Sequence, residues 1–270
     1  MQTYLFLIAA VLYTACAFLP VQQARLIALG TALAWLIHGG TLWADFFLPA
    51  SLRVGFAMML SAALWVSVAL FWLENRHATL DSMRVLVLPS AAVAVLLPWF
   101  FPGSLVKLDG KTLLYGWHIA ISVLAYSTLT VAAFHAILMA LQESQLHAHG
   151  MNESSKRWFG LAIERLPALL TMETLLFRMI RIGFVLLSLT VLSGLVFSEQ
   201  FLGKAVQWDH KTVFALISWG VFGALLLGRH FRGWRGRIAL AWMLAGFLTL
   251  LLAYVGSRFV LEVILHKGTP

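Results

Sequence analysis

Cysteine is almost missing from this chain. Cys16 is the only one in 270 residues, which excludes an intrachain disulfide, a CxxC redox pair and a cysteine metal cage. Charge is scarce too. Asp, Glu, Lys and Arg together make up 11% of the residues, whereas a soluble domain carries about a quarter. With 61% hydrophobic residues, the chain is excluded from the ordinary soluble class. A basic leader is also lacking: "TYLFLIAAVLYTACAFLP" has no charged n-region, so it reads as a retained helix rather than a cleaved signal. Acidic side chains are the rarest charged type, 11 against 19 basic, and none falls clearly at mid-bilayer. That argues against an ion-coupled transporter. The net charge of +8 does not imply nucleic acid, because basic excess in a membrane protein marks its cytoplasmic loops.

What is present is a series of apolar runs of membrane-crossing length, about 20 residues each. They predict an all-α integral membrane protein with eight spans, near residues 3–20, 24–43, 53–73, 84–101, 113–142, 179–198, 211–229 and 237–262. With both termini outside, 12 of the 19 basic residues fall on the inner side, among them the run "RHFRGWRGR" (229–237), and seven on the outer. The bias favours this orientation. Residues 143–177 are too polar at "ESQLHAHGMNESSKRW" to span. They predict a cytoplasmic loop ending in a proline-led interfacial helix that runs into the sixth span. The chain reads as one membrane domain over 1–270, without repeats.

Orientation sorts the nine histidines. His77, His147, His149 and His230 fall in or beside inner loops, where a solvated imidazole needs no special role. His118, His210 and His266 fall toward the outer side, His38 in the outer third of the second span, and His135 deep in the fifth. An imidazole inside a bilayer needs partners for its ring nitrogens, so each is a candidate site. The alternative is a structural bond to a neighbouring helix's carbonyl, Ser or Thr. Imidazole is also the usual protein ligand of haem iron. A di-haem four-helix cytochrome b does not fit: His118 and His135 point about 260° apart on one helix, so His135 reads as structural.

Between two apolar runs stands "QWDHKT" (207–212). Trp208 suits a membrane interface or flat packing against a macrocycle. Asp209 can cap the helix that follows. Lys204, Lys211 and Arg258 place positive charge where carboxylates of a ligand could lie. An interfacial Trp, an N-capping Asp and snorkelling lysines account for these residues one at a time, but not for His118 and His266 on one outer face.

The segment "RMIRIGFVLLSLTVLSGLVFSEQFLGKAVQWDHKTVFALISWGVFGALL" with "GWRGRIALAWMLAGFLTLLLAYVGSRF" resembles the core of the cytochrome c assembly family of haem-handling membrane proteins, of the CcsA and HemX type. Gly203, Trp208, Asp209 and Lys211 fall on the family's external WGxxWxWDPKET pattern, and Arg235 and Gly236 on its later GWRGR-like residues. "YGWHIAISVLAYSTL" resembles the segment whose His ligates external haem, which implies that role for His118. The resemblance implies a second ligand at His266 and a further family histidine at His38. It covers most of the chain in helix order and is densest after residue 115. Leu202 and Val206 stand where the family has two more tryptophans, and His210 and Thr212 where it has Pro and Glu. These departures bring the chain nearer the smaller HemX-like and YpjD-like members.

The resemblance implies a multi-pass protein of the bacterial inner (cytoplasmic) membrane that holds or presents haem at the outer face. Haem, the lipid bilayer and other cytochrome c biogenesis membrane proteins are the implied partners. No nucleophile or acid–base dyad is visible, so catalysis is not assigned. The alternative is a non-haem scaffold or regulatory subunit that keeps the fold.

Overall fold

A computed structural model describes residues 2–46, 51–75, 83–107, 113–147, 168–202 and 208–264. In lipid the backbone must satisfy its own polar groups, and a helix does so within one segment. Eight long helices result among the described residues: α1 (Gln2–Phe18), α2 (Ala24–Phe46), α3 (Phe56–Asn75), α4 (Arg84–Phe100), α5 (Leu113–His147), α6 (Leu169–Leu202), α7 (His210–Arg232) and α8 (Gly236–Leu251). The chain continues from α8 through π-helical turns at Leu252–Gly256 and Val260–Ile264. Six helical stretches are long and apolar enough to cross a membrane: Val21–Ala44, Phe56–Asn75, Gly116–Ser144, Leu169–Val196, His210–Arg232 and Gly236–Gly256. The helices of Thr3–Phe18 and Arg84–Phe100 are apolar but shorter.

The chain is all-helical as expected, with one short element added to the helices. Residues Ser51–Val54 (β1) pair antiparallel with Ser104–Lys107 (β2), with Ser51 opposite Lys107 and Val54 opposite Ser104. The third helix therefore starts at Phe56 rather than 53. Gly103, at φ 71°, makes the turn into β2, and a Cβ there would meet the Val54 carbonyl. A second difference concerns residues 143–177. Helix α5 runs on to His147, past its expected end at 142, while Leu169–Phe177 runs into the sixth span as expected. Met172, Glu173 and Leu176 are buried in the bundle, so this stretch is held by packing. Only residues 148–167 of the expected loop lie outside the described residues.

Successive helices alternate in direction. The Arg84 guanidinium donates to the Leu19 carbonyl (2.8 Å), joining the end of α1 to the start of α4. The Phe259 ring meets Phe56 edge-on at 5.4 Å, bringing the chain after α8 back to the ribbon. One end of the bundle thus carries the ribbon, the starts of α1, α5 and α7, and the end of the chain's last described turn. The opposite, basic end carries Arg84, Arg229, Arg232, Arg235 and Arg237.

Helix α5 is the central element, packed on α3, α6 and α8. Its Ala125, Leu129, Ala132 and Ala136 are wholly buried, as are Leu176 and Ile180 of α6. Small residues bring the two helices close, the usual means of association where lipid removes the hydrophobic drive. Gly183 lies under Leu129, and a Cβ on it would stand 2.6 Å from Leu129 Cδ2.

Candidate functional site at the ribbon end

Helix α7 begins with the expected cap. Asp209 has extended backbone, and its carboxylate accepts from the Thr212 N–H at 2.8 Å, satisfying one of the helix's unpaired first-turn donors. At its far end Gly233, at φ 64°, closes α7 in the left-handed region. Trp208 precedes the cap and is 77% exposed, so its ring lies open at this end of the bundle. Lys211 is half-buried in the first turn of α7.

His118 is in the second turn of α5, half-buried. Its Nδ1 is 2.7 Å from Ser193 Oγ on α6. Ser193 Oγ also lies 3.0 Å from the Thr190 carbonyl, and when its proton is donated there it accepts from Nδ1–H. In that arrangement the neutral ring has its lone pair on Nε2, the tautomer a metal ligand needs. Gly194 faces the same ring, and a Cβ there would sit in ordinary contact with Cε1 at 3.6 Å. Trp117 beside it is 60% exposed. Below this level Trp219 donates to Ser188 Oγ (2.8 Å) and stacks on Phe184, which ties α6 to α7.

His38 has different surroundings. Its ring is fully buried, with Nε2 2.8 Å from Ser61 Oγ on α3 and Nδ1 3.4 Å from the Tyr13 hydroxyl on α1. Next to it, Trp35 and Trp65 stack at 4.6 Å, and each indole N–H donates to the other's backbone carbonyl. Gly39 leaves room for the Trp65 ring, since a Cβ would approach it to 3.0 Å.

The structure thus brings His118, Trp208, Asp209 and Lys211 to one end, and places His38 within the α1–α2–α3 packing. His266, Gly203 and Lys204 lie outside the described residues, as does the side chain of Arg258. Arg235 and Gly236 are at the opposite end, with Arg235 Nε 3.4 Å from Glu173. The serine partners, Ser193 and Ser61, were not legible in advance, because a serine in an apolar helix ordinarily bonds its own preceding turn.

Two polar clusters mark the basic end. His135 is fully buried, and its Nε2 is 2.9 Å from Glu74 Oε2. Glu173 pairs with both Arg229 and Arg235, and the Arg229 guanidinium lies 4.6 Å over the Phe177 ring.

Haem calls for an oriented imidazole with an accessible face and apolar aromatic surroundings. His118 meets the first demand, and Trp117 and Trp208 supply exposed aromatic surface at the same end. His38 has no exposed face.

Comparison with known proteins bears on this reading. The protein-family model described as cytochrome C assembly protein matches residues 3–265. The inner membrane protein YpjD of Escherichia coli strain K12 is 34% identical over 147 residues, 54% of this chain and 52% of that protein. A 28.8 kDa protein of Azospirillum brasilense is 30% identical over 214 residues, 76% of each chain. The cytochrome c biogenesis protein CcsA of Gloeobacter violaceus is 32% identical over 103 residues, 38% of this chain and 30% of that protein. The chain thus spans about half the length of YpjD and less of CcsA. No solved structure matches it. With a family match running over nearly its whole length, the chain belongs to the cytochrome c assembly protein family.

Proposed function

We propose that this protein holds or presents haem at the outer face of the bacterial inner membrane during cytochrome c assembly. In this reading all eight helices cross the bilayer, the ribbon end faces outward and both termini are outside. The observation that carries it is the His118–Ser193 contact, which orients a half-buried imidazole at the end that also bears Trp208 and the Asp209 cap.

His118 is the first iron ligand in this proposal and His266 the second. Trp208 covers the macrocycle, while Lys211 and Arg258 meet the propionates as charge-assisted donors. Asp209 acts through the backbone by fixing the start of α7 and so the placement of Trp208. His38 acts inside the bundle, shared between Tyr13 and Ser61, and is not an outer-face ligand. Haem supplies the iron porphyrin that the assembly of a c-type cytochrome requires. The chain's residues bind and orient it, and no bond-making step is assigned to them. Other cytochrome c biogenesis membrane proteins are the expected partners.

A scaffold or regulatory subunit that keeps the fold without haem is the second reading, favoured by Leu202 and Val206 at positions where the family has tryptophans. The absorbance spectrum of the full chain, purified in detergent from haem-replete cells, separates the two. A Soret band that His118→Ala removes supports haem binding, and a colourless protein supports the scaffold.

A further inference from the structure

We infer that Arg178 and Arg181 form a binding site for an anionic phospholipid on the outward face of α6. The two lie one turn apart, both exposed. At 100° per residue they share an arc of about 100° with Ile182, Val185, Leu189 and Leu192. All four of these apolar side chains are also exposed, Val185 by 58% and Leu192 by 58%. The bundle-facing residues Met172, Leu176, Ile180 and Leu187 lie on the opposite side and are buried. Arg178 and Arg181 thus top an apolar stripe that runs along the helix toward the ribbon end, and they rim a shallow groove with Ile182, Val185 and Leu186.

The charge has no answer within the described chain. Arg181 Nε makes a long 3.4 Å contact to the Phe177 carbonyl, and neither guanidinium has a carboxylate partner among the described residues. Glu173, the acid nearest in sequence, is buried on the other side of α6 against Arg229 and Arg235. Phe177 packs under Arg229 at the end of α7, which sets Arg178 level with the basic end of the bundle. Two guanidiniums without a carboxylate among the described residues, at the edge of the hydrocarbon, call for an anion. A phosphodiester with acyl chains satisfies both halves of the surface, with its headgroup on the arginines and its chains along Ile182–Leu192. A zwitterionic lipid brings its own ammonium against the arginines and fits less well. A second copy of the chain seated here would set arginine against arginine, which opposes association. Such a lipid fixes the depth of α6, and with it the level at which Ser193 meets His118.

The test is native mass spectrometry of the full chain released from micelles containing equal amounts of phosphatidylglycerol and phosphatidylcholine. The wild type should retain phosphatidylglycerol over phosphatidylcholine by about thirtyfold, the scale two basic residues give at an anionic surface. The Arg178→Gln/Arg181→Gln variant should fall to near parity while keeping its helical circular dichroism. Unchanged preference in the variant overturns the proposal, and so does a wild type without preference, which would leave the arginines to an acidic protein. Displacement of the lipid by millimolar inorganic phosphate overturns it as well, because the site would then take a free anion. Should the double variant not fold, a photoreactive phosphatidylglycerol on the wild type decides. Cross-links within residues 178–192 support the site, and cross-links only elsewhere refute it.

Discussion

Ser193 Oγ of α6 and His118 Nδ1 of α5 stand 2.7 Å apart, a hydrogen bond between two helices that fixes the plane of the ring. Partners of this kind typically change metal affinity by about 10–100-fold when removed. Ser193→Ala is therefore expected to speed haem loss by at least about tenfold, read from haem transfer to apomyoglobin. Ser193→Thr keeps the hydroxyl and should lie close to wild type. Equal loss rates for Ala and wild type would show that the bond does not serve the ligand.

The cap at Asp209 separates geometry from charge. Asp209→Ala should lower stability by about 1 kcal/mol, seen as a lower unfolding midpoint in detergent. Asp209→Asn retains a side-chain acceptor for the Thr212 N–H and should recover most of the loss. An Asn variant as unstable as Ala would mean that the carboxylate charge, acting on the helix dipole, carries the effect.

Glu74 and His135 are buried together between α3 and α5, and removing one leaves the other stranded. His135→Leu alone is expected to cost about 3–5 kcal/mol, while Glu74→Leu/His135→Leu costs much less, since a buried pair exchanged for apolar side chains is often neutral. Additive losses in the double variant would contradict a direct pairing.

Gly183 sets the spacing of α5 and α6 about ten residues below the His118–Ser193 bond. Gly183→Ala forces Leu129 to move and should destabilise by about 1–3 kcal/mol. Leu129→Ala placed in the Gly183→Ala background should be better tolerated than Leu129→Ala alone. A Gly183→Ala protein with wild-type stability would show that the interface has room to spare.

Much of this architecture is legible in the sequence, because bilayer thickness imposes a length on every apolar run. Each of the eight expected spans overlaps a helix, and Asp209 caps α7 as its position before "HKTVFALISWG" suggests. The ribbon was not legible: each strand is four residues, and β1 and β2 are separated by α3 and α4. The start of α6 reads as interfacial because Pro167 and Glu173 look like surface residues. The structure buries Glu173 by giving it Arg229 and Arg235, which come from the far end of the next helix and the turn after it. The same limit hides Glu74 as the partner of His135 and Ser193 as the partner of His118. Periodicity gives a residue's face on its own helix, whereas the partner on the next helix depends on relative rotation and depth.

The most direct measurement uses a cavity in place of the ligand. His118→Gly protein, purified alongside wild type from haem-replete cells, is assayed for haem per chain with and without added imidazole. The account predicts haem in the wild type, little in the variant, and recovery when free imidazole fills the space left by the side chain. A His118→Gly protein that keeps the wild-type haem content, with no response to imidazole, would contradict it.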